Sequence, residues 1–345
     1  MSAVATDDRV LLSVRNLRAV FETDDGIVHP VDGVSFDVRR GEVFGIVGES
    51  GSGKSVTAMT ILGLQPTLKI KEGEILWKGR DLLTMPEDER RKVRGREIAM
   101  IFQDPLTALN PVHTVGKQIG EMARIHEGLS RRAAKERAVE MLELVGIPEP
   151  RKRADMYPHE FSGGMRQRAM IAMAITCKPD LLIADEPTTA LDVTVQAQIL
   201  DLIRELQEEF NSAVIIITHD LGVVAELSDD VLVMYAGRAV EQATVEDAFH
   251  RPLHPYTWGL LGSMPRLDRE RSERLLPITG SPPSLINVPS GCPFHPRCPY
   301  ADLNDGKSTT ERPELVEVEP GHRAACHLPL DKRREIWNDE IRPKL

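Results

Sequence analysis

The chain of 345 residues has the composition of an ordinary folded protein, with 41% hydrophobic and 28% charged residues. Its length exceeds one typical domain and leaves room for a large core plus an appended segment. The formal net charge of −10 argues against a general polyanion binder such as a nucleic-acid coat. Residues 1–9 carry no signal-peptide core, and no apolar run approaches the ~20 residues of a membrane-spanning helix. We therefore expect any membrane role to depend on a partner.

The first part of the chain is predicted to consist of short strands that lead into a glycine-rich loop. Residues 11–38 have the pattern of strands and turns, with Asp24-Asp25-Gly26 as the candidate hairpin turn. Residues 43–47 form an apolar strand, and helical spacing follows the loop at residues 56–64.

The middle of the chain alternates helical and strand patterns. Residues 85–160 are rich in Arg and Glu and contain several prolines, which predicts a helical insertion rather than sheet, with one helix at 131–145. Two apolar strands, at 181–184 and 214–218, then flank a helix at 195–210. This alternation predicts a parallel sheet whose faces are covered by helices.

The character of the sequence changes after about residue 250, where prolines become dense and the periodicity fades. We therefore predict an α/β domain over residues 1–250, with a helical subdomain at about 85–175, and a small irregular extension over 251–345. No internal repeat is evident, which predicts one copy of the α/β unit. Three of the four cysteines lie in the extension, and the fourth, Cys177, is interpreted as a buried structural thiol.

The glycine-rich loop matches a phosphate-binding loop at every fixed position. Its glycines allow the backbone to curl so that N–H groups point at phosphate oxygens, and the following helix adds its positive end. Lys54 can reach the outer phosphates, and the Ser55 hydroxyl can bind Mg²⁺. A chance match is opposed by the preceding strand and the following helix. The residues expected to contact a nucleotide are Gly48, Glu49, Ser50, Gly51, Ser52, Gly53, Lys54, Ser55 and Val56.

Two acids follow the buried strand at 181–184. The strand would deliver Asp185 to a magnesium ion at the carboxyl end of the sheet, where ligands of α/β proteins collect. Glu186 would polarise an attacking water, as phosphoryl transfer requires. His219 follows the strand at 214–218 on the same expected edge, so it could contact the terminal phosphate.

The segment Phe161-Ser162-Gly163-Gly164-Met165-Arg166-Gln167-Arg168 resembles the signature sequence of ABC ATPases, with Phe and Met where Leu and Gln are more usual. Ser162, Gly163 and Gly164 precede a helix and make an anion-binding helix start. In this family the signature contacts the terminal phosphate bound by a second subunit. The resemblance therefore implies a P-loop ABC nucleotide-binding domain that forms a head-to-tail dimer with two ATP molecules at its interface.

Other elements of the ABC family follow in the expected order. Gln103 matches the glutamine loop, which touches magnesium and senses the membrane subunits, and Thr189-Ala190-Leu191-Asp192 matches the dimer-contacting loop. His219 matches the switch histidine, and Phe21 is expected to stack on adenine. The resemblance thus implies ATP and Mg²⁺ as cofactors. The implied catalytic residues are Lys54, Glu186 and His219, and the implied magnesium ligands are Ser55, Gln103 and Asp185.

The extension resembles the carboxyl-terminal region of oligopeptide and dipeptide importer ATPases. The resemblance lies in residues 254–257, 291–299 and 320–327, and nickel importers share parts of it. It implies a peripheral ATPase at the cytoplasmic face of the membrane that powers peptide import. Its implied partners are a second, related but different ABC ATPase, two transmembrane permease subunits and an extracytoplasmic substrate-binding protein, with no nucleic acid.

Two alternative functions stay open. One is an ATPase that powers the import of nickel or another small solute. The other is a soluble ABC ATPase outside transport, which the single cassette and the absence of a long coiled-coil pattern disfavour. A regulatory role of the cysteine region, as a metal or redox sensor, is a further alternative.

In the peptide-importer subfamily the extension resembles a four-cysteine iron–sulfur site, whose third cysteine comes seven positions after the second. Here that position is Asp305. Soft thiolates suit such clusters, and a carboxylate can serve as a hard fourth ligand. We therefore expect a 4Fe-4S cluster, and its ligands would be Cys292, Cys298, Asp305 and Cys326.

Two other interpretations of the cysteine region stay open. Zinc is a rival for the cluster, and a histidine would complete its tetrahedral site. The candidate histidines are His295, His322 and His327. The third reading is a decayed site that binds no metal.

Overall fold

The computed structural model describes residues 9–189, 191–264 and 278–345, and it divides into two compact units. Within this described part, the first unit takes in residues 9–12, 38–43 and 76–217, and the second takes in 13–37, 44–75 and 218–345. No described helix combines the length and apolar character needed to cross a bilayer.

Strands and helices alternate through most of the described chain. The strands are β1 (Val10–Thr23), β2 (Gly26–Arg39), β3 (Val43–Val47), β4 (Leu68–Trp77), β5 (Arg80–Asp81), β6 (Ile98–Ile101), β7 (Leu181–Asp185), β8 (Ala213–Thr218), β9 (Asp230–Tyr235), β10 (Arg238–Thr244), β11 (Val316–Glu319) and β12 (His322–Ala324). The helices are α1 (Lys54–Ile61), α2 (Glu87–Val93), α3 (Pro105–Ala108), α4 (Val115–Glu127), α5 (Arg131–Leu144), α6 (Pro150–Arg153), α7 (Gly163–Ile175), α8 (Val193–Phe210), α9 (Leu221–Leu227), α10 (Val245–His250), α11 (Pro255–Gly262), α12 (Lys307–Thr310) and α13 (Leu330–Ile336).

The first unit is built on parallel strands in the order β8-β7-β6. Every residue of β7 and β8 is buried, as expected for parallel strands that are covered on both faces. Helices α4, α5 and α7 pack on one another and share one hydrophobic core with these strands. Its members include Ile119, Leu142, Ile171, Leu182 and Val214.

Strand β6 departs from the sequence-based prediction, because it lies inside the range that was expected to be helical rather than sheet. Its four residues, Ile98–Ile101, are all buried and pair in parallel with β7. The charged residues on either side dominate any window long enough to show helical periodicity. A buried strand needs only a short apolar run, so four residues are sufficient.

The second unit contains a mixed sheet in which β3 runs parallel to β9, followed by the antiparallel strands β10, β12 and β11. Strands β2, β1 and β4 are neighbours in another sheet. The extension is therefore not wholly irregular, since it supplies β11 and β12. Pairing with β12 also satisfies backbone groups of β10 that would otherwise form an open edge.

The core of the second unit draws aromatic side chains from both sides of residue 250. Tyr235 belongs to β9, whereas Tyr256, Trp258, Phe294 and Trp337 come from the extension, and all five are buried in one cluster. The extension thus shares a hydrophobic core with the strand that lies beside β3. The boundary near residue 250 stays a prediction.

Candidate functional site

The phosphate loop connects β3 to α1 in a conformation that requires glycine. Gly48 and Gly53 have φ angles of 151° and 102°, which residues with a side chain rarely adopt. A Cβ atom at Gly48 would lie 2.2 Å from the Met234 carbonyl oxygen, and one at Gly53 would lie 2.0 Å from the Pro30 oxygen. The loop is therefore packed directly against neighbouring backbone.

The loop is wrapped around the ammonium group of Lys54, which is 4% exposed. Its Nζ donates to the carbonyl oxygens of Gly48 at 2.8 Å and Glu49 at 3.0 Å. The Gly237 N–H donates to the Ser52 oxygen at 2.9 Å and fixes the far side of the loop. A positive charge held at a helix N-terminus is suited to bind an anion. Ser55 and Val56 continue α1 and are half-buried.

Glu49 differs from the expectation that loop N–H groups point inward. Its N–H donates to the buried Tyr256 hydroxyl at 2.8 Å, and its carboxylate pairs with Arg297. Tyr256 and Arg297 lie in two segments that resemble the importer extension. Their contact with Glu49 was not predicted, because 207 and 248 positions separate them from it. The remaining predicted residues of this unit are the half-buried Phe21 of β1 and the exposed His219, which follows β8.

In the first unit, β7 carries Asp185 at its carboxyl end, where the residue is 4% exposed. Glu186 follows with a φ of 47°, and its N–H donates to the Ile217 oxygen at 2.8 Å. Its Oε2 accepts hydrogen bonds from Gln103 Nε2 and Thr189 Oγ1, both at 2.8 Å. Three residues that were predicted separately, Gln103, Glu186 and Thr189, are thus brought together.

The signature segment forms the start of α7. Ser162 caps this helix by accepting from the Met165 N–H at 3.3 Å, and Gly163 and Gly164 form its first turn. Gln167, which is 2% exposed, donates to the Pro187 oxygen at 2.6 Å. The signature helix is therefore tied to the residue that follows Glu186.

The dimer-contacting loop leads into α8. Asp192 caps this helix by accepting from the Val195 N–H at 3.0 Å. Ala190 of the same loop lies outside the described residues. The carboxylate of Asp192 is exposed, so the capping bond leaves it at the protein surface.

The cysteines of the extension surround a cavity of about 10 Å³, which has room for no more than a single water molecule. Burial raises the pKa of Cys292 to about 11 and that of Cys298 to about 12, and it also raises the pKa of Cys326. Asp305 is exposed, and the neighbouring Asn304 lines the cavity instead. The predicted fourth ligand is therefore absent from the group of thiols.

Each histidine proposed for zinc makes a hydrogen bond, and His295 and His327 line the same cavity as the three thiols. His322 Nε2 lies 2.7 Å from the Glu241 carboxylate, His327 Nε2 lies 2.8 Å from the Glu311 oxygen, and His295 Nδ1 lies 3.0 Å from the Cys292 oxygen. Across residues 9–189, 191–264 and 278–345, no group of three or more Cys, His, Asp and Glu is placed to hold a metal ion. The described residues therefore give no support to the expected 4Fe-4S cluster or to the zinc alternative. The predicted cluster ligands were Cys292, Cys298, Asp305 and Cys326.

Comparison with known proteins gives the family. Residues 31–189 match the ABC transporter family, and residues 240–303 match the oligopeptide/dipeptide transporter C-terminal region. The chain is 54% identical over 323 residues to the oligopeptide transport ATP-binding protein OppD of Salmonella typhimurium, which covers 94% of this chain and 95% of that one. It is 57% identical over 291 residues to the dipeptide transport ATP-binding protein DppD of Bacillus subtilis, covering 84% and 87% of the two chains.

Among solved structures, the fold resembles a dimeric post-hydrolysis state of the ATP-binding cassette MJ0796 bound to ADP and Pi. The TM-score is 0.62 at 27% identity, and the match covers 68% of this chain and 99% of that chain. The predicted ABC fold and the resemblance in the extension are both confirmed. The chain belongs to the oligopeptide/dipeptide transporter family of ABC ATP-binding proteins.

Proposed function

We propose that this chain binds and hydrolyses ATP and thereby powers the import of di- and oligopeptides through a membrane ABC transporter. The observation that carries the proposal is the phosphate loop, in which glycines and a buried Lys54 form an anion-binding helix start. The substrate class is supported by the relatives, since the proteins of Salmonella typhimurium and Bacillus subtilis are named for oligopeptide and dipeptide transport.

In this proposal the residues take the roles that the family resemblance gives them. Lys54 neutralises the outer phosphates, and Ser55 and Asp185 bind Mg²⁺ through oxygen, the ligand type that this ion prefers. Gln103 donates its amide N–H to Glu186 and can offer its amide oxygen to the ion. Glu186 orients the attacking water as general base.

Further contacts follow from the family. Phe21 stacks on adenine, and His219 reaches the terminal phosphate. Ser162, Gly163, Gly164 and Asp192 contact the ATP of a second ATPase subunit, which is a related but different chain.

The proposed assembly also includes two transmembrane permease subunits and an extracytoplasmic substrate-binding protein, with this chain at the cytoplasmic face. Its cofactors are ATP and Mg²⁺. Neither an iron–sulfur cluster nor zinc is part of the proposal, because no group of three or more Cys, His, Asp and Glu among the described residues is placed to hold a metal ion.

Transport by membrane vesicles that contain the whole assembly tests the function. We expect ATP-driven uptake of a labelled tripeptide, and no ATP-driven uptake of Ni²⁺. Lys54→Ala should abolish uptake, whereas Lys152→Ala, at an exposed lysine of α6, should leave it unchanged. Uptake of Ni²⁺ without peptide would refute the substrate class and leave ATP hydrolysis in place. If Lys54→Ala kept both ATP-driven uptake and ATP hydrolysis, the assigned phosphate loop would be refuted.

A further inference from the structure

One contact joins the cysteine-bearing part of the extension to the phosphate loop. Arg297 lies in the 3₁₀ turn His295–Arg297, directly before Cys298. Its Nη1 donates to Glu49 Oε2 at 2.6 Å and its Nη2 donates to Oε1 at 2.9 Å. This parallel pair of bonds is the strongest geometry available to an ion pair between arginine and a carboxylate. Glu49 is the second residue of the phosphate loop.

The guanidinium is held by more than Glu49. Its Nε donates to the Thr279 oxygen at 2.9 Å and its Nη2 donates to the Gly280 oxygen at 3.2 Å. The same group lies 5.8 Å from the centre of the Tyr235 ring, and the Arg297 side chain is 5% exposed. Hydrogen bonding to Glu49 raises the pKa of Arg297. The arginine is thus a fixed, buried cation that groups outside the loop also hold.

The backbone of the phosphate loop is also held at Glu49. Tyr256, which is fully buried, accepts the Glu49 N–H at 2.8 Å. Its ring packs 4.7 Å from that of Tyr235 and 5.4 Å from that of Phe294, so the hydroxyl is positioned by an aromatic cluster. Glu49 is therefore held by its main chain and by its side chain, and both contacts come from the extension.

Holding Glu49 also positions the catalytic lysine. The Glu49 carbonyl oxygen accepts from Lys54 Nζ at 3.0 Å and from the Ser52 N–H at 3.2 Å. A displacement of Glu49 would therefore move the acceptor to which the ammonium is tied. It would also alter the turn that aims the loop N–H groups.

Charge gives the contact a second effect. Glu49 places a carboxylate on a loop that is built to receive phosphates, and two anions repel each other strongly where water is partly excluded. Arg297 compensates this carboxylate. Without the arginine, the loop would carry an uncompensated negative charge next to the ligand.

We infer that Arg297 is a positioning residue of the nucleotide site, through which the extension holds the phosphate loop and sets its affinity for MgATP. The inference rests on the proposed function, because it assumes that the loop binds ATP. It assigns the extension a role in the ATPase cycle that does not require a metal.

The test is the affinity of the full-length chain for MgATP, measured by titration calorimetry. Arg297→Ala should weaken binding about tenfold or more, because one partner of a buried ion pair is left uncompensated. Glu49→Gln removes the charge and should weaken binding less. The double variant should bind more tightly than Arg297→Ala alone, since the repelling carboxylate is gone. Arg297→Lys keeps the charge but not the paired geometry, so its affinity should fall between wild type and Arg297→Ala.

A matched control removes another paired Arg–Glu contact. Arg151 donates to Glu136 at 3.2 and 2.8 Å on the surface, so Arg151→Ala should leave affinity unchanged. Rescue of Arg297→Ala by Glu49→Gln supports the charge effect, and urea unfolding of each variant separates that effect from loss of fold. If Arg297→Ala does not fold, the affinities of Arg297→Lys and Glu49→Gln for MgATP test the inference in its place.

Two results would overturn the inference. One is that Arg297→Ala and Arg297→Lys both bind MgATP with wild-type affinity. The other is that the double variant binds MgATP more weakly than Arg297→Ala alone. A failure of the proposed function would give other results than these two. In that case the wild-type chain would not bind MgATP, or Lys54→Ala would bind it equally well, and the inference would fall with it.

Discussion

Glu186 adopts a left-handed backbone with a φ of 47°, a conformation that costs a residue with a side chain about 1–3 kcal/mol. The Gln103 and Thr189 bonds hold its carboxylate in one direction. A strained but well-held carboxylate is typical of a group whose position matters for chemistry. The geometry is consistent with the proposed role of Glu186 as general base.

We predict that Glu186→Gln retains MgATP binding but lowers turnover by about 10²- to 10⁴-fold, which is the usual contribution of a general base. The amide has the same shape as the carboxylate and cannot take a proton. Phosphate release measured in steady state, together with calorimetric binding, checks both parts. Glu209→Gln, at an exposed residue of α8, is the control and should match wild type. Normal turnover in Glu186→Gln would disprove the assigned base.

Two glycines of the phosphate loop offer a second comparison at the residue scale. Gly53 and Gly51 both have positive φ angles, so an added side chain strains either position. Only Gly53 also meets backbone, because a Cβ atom there would lie 2.0 Å from the Pro30 oxygen, whereas Gly51 has no atom within 4 Å. We predict that Gly51→Ala costs about 1–2 kcal/mol of unfolding free energy and that Gly53→Ala costs about 2–5 kcal/mol.

Urea unfolding without nucleotide measures both glycine variants and keeps ligand effects out of the comparison. Equal losses in the two variants would mean that the close approach to Pro30 does not constrain the loop. A larger loss in Gly51→Ala would contradict the packing described for this segment.

At the scale of elements, α11 is joined to its surroundings by buried polar groups. Glu241 of β10 is fully buried and accepts hydrogen bonds from the N–H groups of Leu253 and His254. The Thr257 hydroxyl and His322 Nε2 contact the same carboxylate. A buried carboxylate with this many partners links β10, α11 and β12, and losing one partner would leave charge uncompensated.

His254 makes the stability of this region depend on pH. Its Nδ1 accepts the Tyr256 N–H at 3.1 Å as the cap of α11, and burial lowers its pKa to about 4. The unfolded chain, with a histidine pKa near 6.5, binds the proton first as the pH falls. Stability is therefore complete above about pH 6.5 and declines between pH 6.5 and 4, by about 3 kcal/mol at most.

Unfolding free energies measured from pH 7 to pH 4 test this dependence. His254→Asn keeps a capping acceptor but cannot titrate, so its curve should be flatter than that of wild type. His250→Asn, at an exposed histidine of α10, should leave the curve unchanged. Identical curves for wild type and His254→Asn would show that His254 does not set the dependence.

At the scale of the whole molecule, the extension is an integral part of the second unit rather than a separate appendix. It contributes β11 and β12 to the sheet and aromatic residues to the core around Tyr235. Its cysteines pack against that core, and burial raises the pKa of all three thiols.

We predict that the native thiols of Cys292 and Cys298 react slowly with iodoacetamide at pH 8, because only about one part in a thousand or less is thiolate at pKa values of 11–12. The rate should rise about tenfold per pH unit and not level off below pH 11. Mass spectrometry of native protein, with urea-unfolded protein as control, measures this rate.

We also predict that anaerobically purified protein holds well below one iron or zinc atom per chain. Stoichiometric iron with acid-labile sulfide would contradict this prediction.

Much of the fold was predictable because its signals are local. The apolar run at Val43–Val47, the glycine loop and the helix behind it are read from neighbouring residues, and β3 and α1 appear where the patterns placed them. The strands β7 and β8 and the helix α8 were predicted for the same reason. Strand β6 was missed, since its four apolar residues are surrounded by charge. No pattern predicted β9 and β10 either, or β11 and β12 in the extension that was expected to be irregular.

The sequence by itself determined the family, the phosphate loop and the identity of the acids at the end of β7, because motif spacing and hydrophobic periodicity act over a few residues. Only the tertiary structure decided how distant residues meet. The pairing of Arg297 with Glu49 spans 248 positions. The choice of Asn304 over Asp305 to line the thiol cavity depends on how one turn is oriented. Such contacts arise from chain folding and side-chain packing, which no local spacing encodes.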